Sequence, residues 1–267
     1  MTALAPVTQP HGRSTAALVL ERLRYEQRSF WRNRAGAFFV FLFPLMFLII
    51  FGTINSGATI PFLGDLNYNQ FYVCGILAFS IMSACYSGLA IQTVNRRESG
   101  VLKRLRGMPV PAVVIVGGAI ASMFAVTLVL VFLTTAIGTL FFGFEQHGHY
   151  LALVVALLLG VACFSSLGLA LQTLIRNADA APAVVNGLFF PVQFLSGVFF
   201  PLSPDSLLSR IADFLPVRPL VQAIFSCFDP RTTGAGFNGS ALLRLGIWTA
   251  IGVTVAVRRF RWEPRSG

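Results

Sequence analysis

Lys103 is the single lysine of the chain, and the GVLK run ending on it lacks the glycine-supplied amide cradle of a GxxxxGK[ST] phosphate loop. Any nucleotide-driven work must therefore be done by another polypeptide. Cys74, Cys85, Cys163 and Cys227 show no CxxC spacing and no clustering with histidine, so neither a metal scaffold nor a disulfide framework is indicated. For Cys74 and Cys227 both a disulfide and unpaired thiols stay open. His147 and His149 bracket Gly148 but have no third ligand, a poor metal site. No GxSxG nucleophile elbow is present. The residue types thus assign no catalytic and no metal-binding role to this chain. A different pattern stands out: Asp179, Asn186 and Gln193 recur every seven residues and fall on one helical face, with Ser196 just beyond. Asn186, Gln193 and Ser196 are candidates to line a substrate path. Hydrogen bonds between helices, worth about 0.6 kcal/mol each in a membrane, are the equal alternative.

The elements that must position such residues follow from composition. Of 267 residues, 55% are apolar and 11% charged, and the mean hydropathy is +0.74. A soluble domain carries about twice that charge, so the excess apolar surface must face lipid. A helix of about 20 apolar residues crosses a hydrocarbon core of about 30 Å. Six stretches qualify, at about 35–54, 71–94, 112–144, 150–175, 180–202 and 241–257. The expected fold is all-α and polytopic, with a tail over 1–34, a transmembrane domain over 35–257 and a basic tail over 258–267. The third stretch is too long for one membrane-thick helix, so it either tilts or begins at the membrane surface. No span carries a charge at mid-depth, which argues against an ion-coupled carrier. Ser80, Ala84 and Gly88, and Ala156 with Gly160, are small residues four apart that read as close helix packing.

The net charge of +10 reads as topology. Sixteen of the twenty Lys and Arg fall before span 1, between spans 2 and 3, between spans 4 and 5, or after span 6. Basic loops stay cytoplasmic, which places both termini inside, as an even number of spans requires. The basic balance therefore needs no nucleic-acid partner. The first 34 residues are polar and carry six arginines, unlike a cleavable signal peptide. A bacterial inner membrane is the expected location.

Two cytoplasmic segments read as amphipathic helices. In Ala16 to Arg34, residues Val19, Leu20, Leu23, Phe30 and Trp31 share an apolar arc while Arg22, Arg24, Arg28 and Arg32 lie outside it. Such a helix suits the interface, either as a plain juxtamembrane anchor or as an elbow leading into span 1. In Arg97 to Pro111, Val101, Leu102, Leu105 and Met108 share an arc with Val94, and Gly107 with Pro109 stops the helix. An ordered apolar stripe in a loop suggests docking to a soluble partner; a solvated charged loop is the bland reading.

That loop resembles the coupling region of ABC-2-type transporter permeases, with Glu98, Gly100, Lys103, Arg104 and Pro109 at the matching places. The LSGVFFPL core within Phe189 to Phe225 resembles the family's late signature. Daunorubicin-resistance type drug-exporter permeases are the nearest look-alikes. The resemblance implies half of a pore, paired with a second copy or a sister permease and driven by two ABC ATPase subunits. ATP and Mg would sit on those subunits, with no cofactor on this chain. Glu98, Gly100, Lys103, Arg104 and Pro109 would carry ATPase coupling, while Gly197, Phe199, Phe200 and Pro201 are candidates for an external gate. The stretch Ser196–Asp229 is expected to fold as re-entrant or interfacial helices around its prolines, as gate or as cap, with Arg210, Asp213, Arg218 and Asp229 paired. The 26 Phe against 5 Tyr and 3 Trp favour a hydrophobic drug or lipid substrate. Export of a polysaccharide or lipid-linked glycan is the alternative.

Overall fold

The computed structural model describes residues 14–260 apart from 108–110, 147, 204–205 and 233. Pro109 and His147 thus lie outside the described residues, as do both chain ends. The described chain is helical throughout, save for a two-residue antiparallel pair, Thr59–Ile60 with Leu66–Asn67.

Helix α1, Thr15–Arg32, starts on a Ser14 cap whose hydroxyl accepts from the Ala17 amide, and α2, Arg34–Ile54, starts one residue after it on an Asn33 cap. A single non-helical residue turns the surface helix into the first span. The arc that α1 turns inward is not the apolar one alone. Leu20 and Trp31 stay exposed, whereas Glu26 is buried and Gln27 donates to the Ser122 carbonyl at 2.7 Å. Gly118 clears the space that the Arg22 side chain occupies.

The second span is one pillar of 31 residues, Tyr68–Glu98, and it is the most enclosed of the spans. It comprises α3, Tyr68–Ile81, a π-helical stretch, Met82–Gly88, and α4, Leu89–Glu98. The pillar is longer than the expected 71–94 because the polar side chains at its ends find partners in other elements. Asn69 donates to the Phe142 carbonyl, Gln70 donates to the carbonyls of Glu145 and Phe228, and its Oε1 accepts from the Glu145 amide. Arg96 and Arg97 remain within the helix for reasons set out below.

Helix α5, Val101–Arg106, follows Gly100, whose φ of 72° makes the turn. Helix α6, Ala112–Phe142, is unbroken, and its first turn lies against α5 through Ile115. Gly143, at φ 64°, ends it. Helix α7, Tyr150–Leu171, stops four residues before the expected 175. Its Gly160 accommodates Leu220, and its Gly252-facing Ser166 lets α11 pack close.

Helix α8 corrects the expected fifth span of 180–202: it covers only Ala181–Leu195. At 1.5 Å per residue, 15 residues reach about 22 Å, short of the hydrocarbon thickness. Gly197 at φ 73° leaves the helix, and the Val198 carbonyl then lies where a side chain on Gly75 would be. Helices α9, Leu207–Phe214, and α10, Val217–Phe228, meet at 95°, and α11, Gly239–Arg259, closes the chain. Arg244 of α11 holds the bent pair through Asp213 at 3.4 Å and Gln222 at 2.8 Å. Among the described residues five helices are long and apolar enough to cross a membrane, or six if the bent pair counts as one span. One end of the bundle gathers Gln70, Glu145 and Phe228, and the other gathers α1, α5 and the arginines of the α4–α5 corner.

Candidate functional site: a basic corner and the cleft beside it

The corner between α4 and α5 is built around an arginine that carries no solvent exposure. Arg97 is fully buried. Its guanidinium donates to the carbonyls of Gln172 at 3.0 Å, Ile175 at 2.9 Å and Arg176 at 3.2 Å, and its Nε–H donates to Glu98 at 2.9 Å. The last carbonyls of a helix lack intrahelical partners and carry the negative end of its dipole, so a planar cation with a fork of donors is well matched to them. Arg97 therefore ties the α4 end to the turn between α7 and α8. It also explains why α7 ends early: the carbonyls of Gln172, Ile175 and Arg176 point at Arg97 in place of the next helical turn.

Glu98 is a quarter exposed and orients that guanidinium. Gly100 sits in the left-handed region with open space around it, so its need for glycine is conformational alone. The apolar stripe of α5 faces inward: Leu102 and Leu105 are buried against Ile115, with Val101 and Phe260 packed alongside. The structure thus uses internally the stripe that the sequence assigns to a partner. What α5 shows to solvent is Lys103, Arg104 and Arg106.

Arg96, the neighbour of Arg97, points the other way. It meets Glu26 of α1 with both guanidinium ends, at 2.8 and 2.5 Å, and Arg22 reaches the same carboxylate at 2.7 Å. Glu26 is 1% exposed, so a buried acid with two cations joins the surface helix to the pillar. The consecutive arginines at 96 and 97 are the signal for both linkages. Two charges one residue apart on a helix diverge by about 100°, so at least one of them had to face protein.

Next to this ion cluster a cleft of about 580 Å³ opens between α2 and the π-helical part of the pillar. Phe39 and Phe43 form its α2 wall; Ser83, Ser87, Gln92 and Asn95 form the other. Ser87 Oγ and Gln92 Oε1 are buried there without a hydrogen-bond partner among the described residues.

The expected path residues do not act together. Gln193 is fully buried with neither amide atom bonded, and Asn186 is exposed. Seven residues fall 20° short of two turns. The buried arc of α8 runs from Val185 through Phe189 to Gln193, and Asn186 lies just past its edge. Ser196 donates to its own helix at the Val192 carbonyl, and Asp179 precedes α8 altogether.

At the opposite end, Phe199 is buried amid Phe194, Phe47 and Phe79, with ring centroids 5.0, 5.3 and 5.7 Å away. Tyr68 donates to the Phe199 carbonyl at 2.7 Å. Phe200 is half exposed and meets Phe51 edge-on, while Gly197 and Pro201 border a small cavity of about 180 Å³ with Arg218. Of the four expected gate residues, Phe199 is thus the one wedged between α2, α3 and α8. Arg218 pairs with Asp213, and Asp229 pairs with Arg231. All four cysteines are buried free thiols, and His149 packs on Gly236.

The chain is 28% identical over 158 residues to the "Inner membrane transport permease YadH" of Escherichia coli strain K12, and equally so to proteins of that name from Escherichia coli O157:H7 and Shigella flexneri. Each match covers 59% of this chain and 61% of the relative, so the chain spans under two thirds of the relatives' length. The profile of the ABC-2 type transporter family matches residues 19–228, a range holding the buried-arginine corner, the pillar and the bent helix pair; this multi-pass membrane protein belongs to that family.

Proposed function

We propose that this chain is the membrane subunit of an ATP-driven exporter in a bacterial inner membrane, with its basic end and both termini in the cytoplasm. It pairs with a second copy or a sister permease and is driven by two ABC ATPase subunits that hold ATP and Mg. The observation carrying this reading is the basic corner. A six-residue helix, α5, is packed inward on Leu102 and Leu105 and presents Lys103, Arg104 and Arg106 outward, while Arg97 clamps its base to the α7–α8 turn. A motor pushing on α5 moves a rigid corner, with no slack loop to absorb the stroke. Docking on an acidic groove of the ATPase then rests on charge, and Glu98 and Gly100 fix the angle of α5.

The cleft beside the ion cluster supports an amphipathic or hydrophobic substrate, a drug or a lipid. Phe39 and Phe43 offer apolar contact, and the orphan Ser87 and Gln92 oxygens await a polar group. The decisive experiment is co-purification with an ABC ATPase from the same organism. Replacing Arg104 and Arg106 with Glu is expected to abolish a complex that the unaltered protein forms at low salt and loses as salt rises. An unaltered, salt-insensitive complex in that variant would remove α5 as the docking element.

A further inference from the structure

A second cleft, of about 540 Å³, shares no residue with the first. It lies where α8 stands away from α7. Leu188 and Val192 of α8 face Leu171 and Leu174 across it, and Trp248 and Val255 of α11 close the side. Its back is Met82 and Tyr86 of the π-helical stretch, and its roof is Leu215–Pro216, the bend between α9 and α10.

Three features say what fills it. The first is depth: from Trp248 to Arg259 is eleven residues of helix, about 16 Å, which is about half the hydrocarbon thickness. The cleft is therefore one leaflet deep, closed above by the bend and open at the basic end. The second is charge: Arg259, exposed in the last turn of α11, is the one charged residue lining the cleft among the described residues, and Arg258 precedes it. The third is access: Leu174 is 63% and Leu188 47% exposed, so the rim is apolar and open to its surroundings. A slot with aliphatic walls, a leaflet deep, with a guanidinium at the headgroup level matches an acyl chain beneath a phosphate.

We propose that this cleft is a site for an anionic phospholipid of the leaflet at the basic end, one acyl chain inserted between α7 and α8 and the phosphate held by Arg259. The lipid would touch both the bend above and the π-helical stretch behind, so its presence would set how far α8 stands from α7.

Trp248 supplies the reporter. With Trp31→Phe and Trp262→Phe, it is the only tryptophan left. The protein is placed in bilayers with a rising fraction of phosphatidylglycerol brominated on its acyl chains, and separately with phosphatidylcholine brominated in the same way. The expected result is Trp248 quenching that saturates at a several-fold lower fraction of the anionic lipid than of the zwitterionic one. Arg259→Gln should bring the two curves together, and Arg259→Lys should keep them apart. Coincident curves that rise in proportion to lipid fraction in the unaltered protein mean ordinary surrounding lipid and overturn the site. Absence of quenching by either lipid means that protein, such as a second copy, fills the cleft, and overturns it too. No ATPase or transported substrate enters this measurement, so its outcome is separate from that of the exporter reading.

Discussion

Arg97 and Glu98 are adjacent in sequence and joined by a hydrogen bond of 2.9 Å, yet the arginine is wholly buried and the carboxylate is a quarter exposed. The acid thus stands at the boundary between a buried clamp and a helix that faces solvent. The clamp holds three carbonyls of the α7–α8 turn, so a displacement of α5 reaches α7 and α8 as well as the pillar.

Arg97→Ala should leave the buried carbonyls of Gln172 and Ile175, and the part-buried one of Arg176, without their donor. Each such loss costs about 1–3 kcal/mol, so a marked fall in thermal stability in detergent is expected. Arg97→Lys should recover only part of it, because an ammonium cannot reproduce the fork of donors. Equal stability of all three proteins would mean that the clamp holds nothing.

Glu98→Ala and Gly100→Pro should insert normally and separate ATP hydrolysis from transport in the assembled exporter. At Gly100 a proline is incompatible with φ 72°. Gly100→Ala is the gentler variant, costing about 1–2 kcal/mol for a left-handed residue with a Cβ. Vanadate-sensitive efflux at the unaltered level in Glu98→Ala and Gly100→Pro would exclude the coupling role.

The Glu26–Arg96 pair invites a double-mutant cycle. Breaking a buried ion pair costs about 3–5 kcal/mol through the charge left behind. Glu26→Gln should therefore be strongly destabilising, and Arg96→Met added to it should cost less than the two changes apart. Additive losses in the unfolding midpoint would show that Arg22 alone satisfies the acid.

A cysteine introduced at Gly148, in a cysteine-free background, should react with an impermeant maleimide added outside whole cells. Reaction only after lysis would reverse the assignment of the basic end to the cytoplasm.

Much of the architecture was legible because lipid-crossing helices announce themselves by charge-free length. The starts of α2 and α7, the end of α5 and the limits of α6 fall close to where composition places them, while the start of α5 falls four residues after Arg97. What escaped was decided by polar groups that find partners only in three dimensions. The pillar outruns 71–94 because Gln70 is bonded to Glu145 and Phe228, far away in sequence. α7 ends early because of Arg97, and α8 because Gly197 turns left-handed where an apolar run would have continued. At the site, Glu98 and Gly100 were visible from the motif. Glu26 and Arg97 were not, since on an isolated helix they look like solvated charge, and only the opposing carbonyls and guanidinium give them a reason to be inside.

The π-helical stretch Met82–Gly88 fits one more residue into the pillar than regular winding would hold. Gly168 of α7 rests on it, with a Cβ there only 2.7 Å from the Tyr86 carbonyl. Angular phase is thereby written into the chain at this point. Rewinding the stretch to regular pitch with all seven residues kept would swing everything below by about 100°. Arg96 would sweep away from Glu26 and Arg97 away from its carbonyls in a single stroke. In this pillar, then, a change of winding far from either arginine is a more drastic lesion than most substitutions made upon them.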